Sequence, residues 1–318
     1  MIERVKVAVI GVGNDISALV QGIARYRTTG SLVGIHQPIL NGLGVGDIEF
    51  VAAFAISPEK IGRDLAETIF MPPNNFPRLT GELPRLGVTV RRGLTDATEV
   101  DRVAAELAGA EVVLYAAPSG RQETAKAYAE AALRAGAAFI NTTSDAVARD
   151  PQLLDRFAAA GLPLLGDDLT SQFGTSVLHH ALLGLLEERG LTLVSSYQVN
   201  LGGTEDFRNL VENSNTKLQS KLNALTADGD TADRIQVAPL GYLPHLKSQK
   251  VAHINIEAQG WGETSVSLDV KLKVHDPSGA AGVTVDLVRM AAGALRAHRV
   301  GYLAEATPLL KSPPGTSV

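Results

Sequence analysis

The chain of 318 residues has no cysteine, which excludes disulfides, zinc–thiolate sites and thiol nucleophiles. It has no excess of positive charge either: 29 Lys and Arg against 34 Asp and Glu give a net charge of −5. Binding a nucleic-acid backbone needs clustered Lys and Arg, and the sequence holds neither a basic run nor a basic–aromatic stripe. No apolar stretch approaches the ~18 residues that span a bilayer. The opening Met1-Ile-Glu-Arg-Val-Lys leads straight into a strand pattern, so no signal peptide and a soluble, cytoplasmic protein are expected. A Gly-x-Ser-x-Gly elbow, a Gly-x-x-x-x-Gly-Lys-Ser/Thr loop and a His-x-x-x-His pair are also missing. His179 and His180 are neighbours on a predicted helix and point about 100° apart, so no metal is expected.

What is present is a chain 45% hydrophobic and 20% charged, enough to bury a core. At ~100–200 residues per domain, its length fits two domains or one with a large insertion. Val5–Ile10, Glu49–Ile56, Glu111–Ala116, Ala137–Asn141 and Leu162–Leu165 read as buried strands, with Val88–Val90 a further short one. Helical spacing fills the gaps at Asp15–Tyr26, Pro58–Phe70, Gln122–Ala135, Pro151–Ala159 and Gln172–Glu188. This alternation predicts a parallel sheet covered by helices on both faces.

After about residue 190 the period falls to two. Ala252, Ile254, Ile256 and Ala258 alternate with polar residues, as do Val266, Leu268, Val270, Leu272 and Val274. Such stretches predict antiparallel strands with one apolar face, joined here as a hairpin through Gly260-Trp261-Gly262-Glu263. Leu191–Leu201 is a third strand, and Gly279–Ala297 returns to helix. The predicted fold is α/β: a parallel-sheet domain over 1–190 and 277–318, interrupted by an antiparallel α+β insertion over 191–276.

Four features point to chemistry. Gly11-Val-Gly13-Asn14 follows the first strand and opens the first helix, where glycines admit a pyrophosphate and free N–H groups favour an anion. Ile16 stands in the place of a third glycine. The second strand ends Phe54-Ala55-Ile56-Ser57-Pro58, without the carboxylate that usually holds the adenine ribose. Ser57 can bond a ribose hydroxyl; Lys60 and Arg63 read first as solvated charges, with a ribose 2′-phosphate as the alternative contact, so NAD and NADP stay open. Asp167 and Asp168 end the sixth strand, as helix caps or as ligands. Asn200-Leu-Gly202-Gly203 precedes a polar helix start, and Lys217 and Lys221 share a helix face four residues apart.

Several segments, in order, resemble one family: Val9-Ile-Gly-Val-Gly-Asn14, Val51-Ala-Ala-Phe54, Gly166-Asp-Asp-Leu-Thr-Ser-Gln172, Asn200-Leu-Gly-Gly203 with Asp206-Phe207, Lys250-Val-Ala, Asp276 with Ala281-Gly-Val283, and Lys311-Ser-Pro-Pro314. Together they look like the short prokaryotic branch of the myo-inositol-1-phosphate synthase family. The resemblance implies a Rossmann-type domain with an inserted assembly and catalytic domain, a homotetramer, and NAD-dependent cyclisation of glucose 6-phosphate. It implies catalytic roles for Lys217, Lys221, Lys250, Lys311, Asp168 and Asp276. Cofactor contacts are expected at Gly11, Gly13, Asn14, Asp15, Ser57, Ala117, Pro118 and Asp167. Substrate contacts are expected at Thr170, Ser171, Gln172, Asn200, Gly202 and Gly203. Three departures from the family pattern stand out: Thr170 in place of a lysine, Ala55 in place of an acid, and Asn141-Thr-Thr-Ser-Asp145 in place of a hydrophobic, proline-containing run. They leave two alternatives beside the main reading: a cyclase for another sugar phosphate such as fructose 6-phosphate, and a catalytically impaired dinucleotide-binding homologue.

Overall fold

Val5–Ile10 (β1) buries every side chain except Lys6, as expected of a strand covered on both faces. The computed structural model describes residues 4–79, 81–212, 225, 234–238 and 241–316. After β1 come helix α1 (Asn14–Thr29), a small hairpin of β2 (Ile39–Leu40) and β3 (Leu43–Gly44), and β4 (Ile48–Ala55). Then follow α2 (Leu65–Thr68), β5 (Val90–Arg92), α3 (Val100–Glu106), β6 (Val112–Tyr115), α4 (Gln122–Ala135), β7 (Ala138–Asn141), α5 (Pro151–Ala159), β8 (Leu164–Leu165) and α6 (Thr175–Glu188). The second region holds β9 (Thr192–Gly202), α7 (Glu205–Glu212), β10 (Ile235–Val237), β11 (Gly241–Tyr242), β12 (Gln249–Gln259) and β13 (Ser265–His275). The long helix α8 (Asp276–Arg296) follows.

Strands β5-β4-β1-β6-β7-β8 form one parallel sheet in that spatial order. This is the doubly wound Rossmann arrangement, and the order reverses between β1 and β6, where such sheets bind ligands. Alternate residues feed two cores. Val7, Val9 and Leu114 pack with α1 and α8, while Ala8, Ile10 and Tyr115 pack with α3, α4 and α5. Ile16 is 1% exposed in the first core, which explains an apolar residue where a third glycine was sought. Helix α8 docks back onto the sheet through a run of buried side chains. Its fully buried Arg289 pairs with Asp286 and donates to the carbonyls of Pro38 and Leu43, at 3.3 and 3.1 Å.

Two expectations change. The predicted helix over Pro58–Phe70 shrinks to α2, because Ser57–Lys60 forms a tight turn whose fourth N–H donates to the Ser57 carbonyl. The second sheet is mixed rather than antiparallel. Strand β12 runs antiparallel to β9 and β13, but β10 and β11 pair parallel with β9. Parallel pairing needs a crossover of a dozen or more residues, and the stretch from α7 to β10 supplies that length. Ala252, Ile254, Ile256 and Ala258 of β12 are buried as read, whereas Val266 and Leu268 of the edge strand β13 remain 39% and 38% exposed. Among the described residues no helix is long and apolar enough to cross a membrane.

Candidate active site

The carboxyl ends of β1, β4, β6 and β7 open on a cavity of about 760 Å³, and the opposite wall comes from β9, α7, β12 and the start of α8. On the Rossmann side the wall is mostly backbone. Gly11 takes φ +90°, and a Cβ there would sit 2.5 Å from the Ala116 carbonyl, so only glycine lets β1 turn this close to β6. Its N–H donates to the Phe54 carbonyl at 2.9 Å. Gly13 precedes α1 in extended conformation, with open space where a side chain would begin. The first N–H groups of α1 therefore meet an open cradle of the kind that binds an anion. The Asn14 carboxamide oxygen accepts from the N–H groups of Asn75 and Phe76, at 2.8 and 2.9 Å, so Asn14 fixes the neighbouring loop as well as lining the cavity. Asp15, Ser57, Ala117 and Pro118 also line it.

Lys60 departs from its reading as a solvated charge. It is 3% exposed, and its ammonium donates to the Val12 carbonyl at 2.7 Å and to Asn74 Oδ1 at 3.1 Å. Burial lowers its pKa from the ordinary lysine value to about 8. It anchors the glycine loop from beneath. No feature of Glu59-Lys60 in the sequence signalled this, because the neighbouring Arg63 does remain exposed, paired with Glu67.

The opposite wall is built from side chains. The Lys250 ammonium lies 2.6 Å from Asp276 Oδ1, and the Lys311 ammonium 2.9 Å from Asp168 Oδ1. All four residues line the cavity, and each lysine side chain is 11% exposed. Strand β12 delivers Lys250, and the first turn of α8 delivers Asp276. The tail delivers Lys311 by a backbone ladder. The Lys311 N–H donates to the Asp168 carbonyl at 2.9 Å, and Ser312 and Asp167 exchange N–H···O bonds at 3.1 and 2.9 Å. Asp168 itself takes φ +55°, a conformation Asp tolerates better than most residues.

Beside these pairs, β9 turns buried Ser196, Gln198 and Asn200 toward α6. Thr175 Oγ1 donates to Asn200 Oδ1 at 2.8 Å, and Asn200 reaches the cavity wall. Ser196 donates its proton to the Asn255 carbonyl at 2.6 Å, so His179 Nε2, 2.6 Å away, donates to Ser196 as a neutral ring. Burial lowers the His179 pKa to about 4, in agreement.

Five expected site residues do not line the cavity. Asp167 is fully buried. Its carboxylate accepts from Asn141 and from the N–H groups of Val147, Ala148 and Arg149, and it pairs with the Arg149 guanidinium at 3.2 Å. Its place is to hold the turn after β8, and burial pushes its pKa up against those donors. Thr170 is absent from the cavity lining, and its N–H donates to the Leu309 carbonyl at 2.9 Å. The Gln172 amide donates to the Gly34 carbonyl at 2.7 Å. Gly202 and Gly203 are small for packing: a Cβ would lie 2.3 Å from the Phe207 ring or 2.4 Å from the Lys247 N. Ser171 does line the cavity, and its buried hydroxyl has no hydrogen-bond partner among the described residues. Lys217 and Lys221 lie outside the described residues. The cavity wall adds Arg121, which no motif marked, and Thr142 and Thr143 from the 141–145 stretch that departs from the family pattern. Among the described residues no three His, Asp or Glu gather as a metal ion requires.

The comparisons with known proteins agree on one family. The family model described as Myo-inositol-1-phosphate synthase matches residues 174–277. The inositol-3-phosphate synthase of Mycolicibacterium smegmatis is 35% identical over 341 residues, covering 98% of this chain and 93% of that protein. The solved structure of a protein named Ari2 is 50% identical with a TM-score of 0.88, covering 98% of this chain and 93% of that one. A solved myo-inositol-1-phosphate synthase-related protein from Thermotoga maritima, 23% identical, shares the fold at a TM-score of 0.78 over 99% and 94% of the two chains.

Proposed function

The chain belongs to the myo-inositol-1-phosphate synthase family, and on that premise we propose that it is an inositol-3-phosphate synthase, an NAD-dependent isomerase that cyclises glucose 6-phosphate to 1L-myo-inositol 1-phosphate. The observation that carries this reading is the meeting of two lysine–aspartate pairs, Lys250–Asp276 and Lys311–Asp168, with a glycine cradle in one cavity. The cradle fits a dinucleotide, since open space stands where Gly13 would bear a side chain and the first turn of α1 faces it. Gly11, Gly13, Asn14 and Asp15 would hold the pyrophosphate, Ser57 the adenine ribose, and Ala117 and Pro118 the side toward β6. NAD, when bound, supplies the hydride acceptor for substrate C5 and returns the hydride after ring closure.

The protein's part is electrostatic. Oxidation at C5, enolisation at C6 and attack on the C1 aldehyde each place negative charge on an oxygen. Preorganised ammonium groups stabilise that charge more in the transition state than in the ground state. Lys250 and Lys311 take this role, each held in place by its aspartate. The C5 hydroxyl proton is taken up within the lysine–aspartate pairs and given back on reduction. The substrate phosphate removes the C6 proton, the C6–C1 bond forms, and the C1 oxygen is protonated, so the sum is an isomerisation. Asn200 and Ser171 contact the substrate; catalytic roles for Lys217 and Lys221 rest on the family resemblance alone.

We infer a domain division at 190 and 276, along the two sheets, and a cytoplasmic homotetramer; the exposed Tyr197, Val266 and Leu268 of the mixed sheet are apolar side chains that a subunit interface would cover. One observation favours a second reading, a related cyclase for fructose 6-phosphate. Position 170 carries no cation, and its threonine lies outside the cavity wall. Incubation of the purified chain with NAD and each hexose phosphate, followed by periodate release of phosphate and mass analysis of the product, decides between them. Inositol phosphate from glucose 6-phosphate is the expected result; a carbocycle formed only from fructose 6-phosphate selects the second reading, and no product from either sinks both.

A further inference from the structure

The strand that ends at the adenine-ribose position of a Rossmann fold is β4, and it ends in Ala55 with no carboxylate. The next four residues, Ser57-Pro-Glu-Lys60, make a turn closed by the Lys60 N–H on the Ser57 carbonyl at 3.1 Å. Ser at the first position and Pro at the second are the residues such a turn prefers. The turn sends its two charged residues opposite ways. Lys60 dives under the glycine loop to the Val12 carbonyl, which fixes the turn against the dinucleotide cradle. Glu59 folds back outside, where its carboxylate accepts from Ser57 Oγ at 2.6 Å. Ser57 lines the cavity; Glu59 is not part of the lining but is exposed and bonded to Ser57.

We propose that Glu59, together with Ser57, replaces the missing strand-end carboxylate: the pair binds the adenine-ribose diol of NAD and rejects a ribose 2′-phosphate. The inference rests on the dinucleotide reading above and names the residue that sets its specificity. The chemistry is complementary. Ser57 spends its only proton on Glu59, so its oxygen is left to accept, and the carboxylate accepts as well; a ribose diol offers two donors. A 2′-phosphate offers none and adds negative charge beside a carboxylate. The basic side chains around the strand end are already engaged: Lys60 beneath the loop, Arg63 with Glu67, and Arg92, opposite Ala55 in the sheet, with Glu99. Arg121 lines the cavity from the side of β6 and serves as the control.

The test is equilibrium binding of NAD and of NADP to the full chain by calorimetry, with melting temperature as a check of folding. The wild-type chain binds NAD more tightly than NADP. Glu59→Gln cuts that preference about tenfold, Glu59→Arg reverses it, and Ser57→Ala weakens NAD several-fold, the scale of a lost hydrogen bond to a charged group. Arg121→Ala leaves the ratio as it was. A folded Glu59→Gln chain with an unchanged ratio, a wild-type preference for NADP, or a ratio governed by Arg121 overturns the proposal while leaving the dinucleotide reading intact. Failure of the wild-type chain to bind either dinucleotide overturns both.

Discussion

The two halves of the cavity are made by different means. The Rossmann half is a backbone surface written by residues adjacent in sequence, Gly11 to Asn14, with one buried lysine beneath it. The other half is a side-chain surface assembled from positions 168, 250, 276 and 311, on elements from both sheets and the tail. A backbone surface is shaped by sterics and holds a ligand by its shape and N–H groups. A side-chain surface supplies localised charge. Binding and chemistry are thereby separable, which is the difference the variants below probe.

The largest effect is expected on the side-chain half. Lys250→Met removes one ammonium from the wall, and turnover falls about 10³-fold, the scale of losing a preorganised oxyanion partner. Dinucleotide affinity, read by calorimetry, stays within a factor of two. A parallel loss of both would mean that the halves are not independent. Gly11→Ala strikes the other half. Its Cβ would meet the Ala116 carbonyl at 2.5 Å on a backbone at φ +90°, so about 2 kcal/mol of stability is lost and dinucleotide binding fails. Normal binding in this variant would show that the cradle yields more than its geometry allows. The smallest effect lies behind the lysine wall. His179 has a folded pKa of about 4, below its ordinary 6.5, because it is buried. Between these values the unfolded chain takes up a proton that the folded chain refuses. Its contribution to stability is thus complete above pH 6.5 and is lost as the pH falls toward 4. His179→Gln flattens this acid limb in denaturant titrations across that window. An equally steep limb in the variant would assign the slope to other groups.

Local patterns made the strands and helices legible because buried parallel strands are continuously apolar and edge or half-buried strands alternate. Errors arose where a neighbour distant in sequence decided the outcome. Pro58 opened a turn rather than a long helix because Lys60 had a carbonyl to reach in the glycine loop. The parallel pairing of β10 and β11 depended on a crossover that no local period records. Asp167 and Asp168 were indistinguishable as letters, yet one holds a turn inside the protein and the other faces the cavity. Gly202 and Gly203 looked like an anion loop and serve close packing instead.

The sequence alone determined the alternation of strand and helix, the glycine turn after β1, the change of period near residue 190 and, through resemblance, the lysine- and aspartate-bearing segments. These are properties of neighbouring residues, and sterics and periodicity carry them. Tertiary structure alone decided which lysine meets which aspartate, that Lys60 is buried, and that Glu59 lies over Ser57 at the end of β4. Those outcomes depend on contacts between segments far apart in the chain, such as the tail laid against 167–169, and only the folded chain brings them within hydrogen-bonding distance.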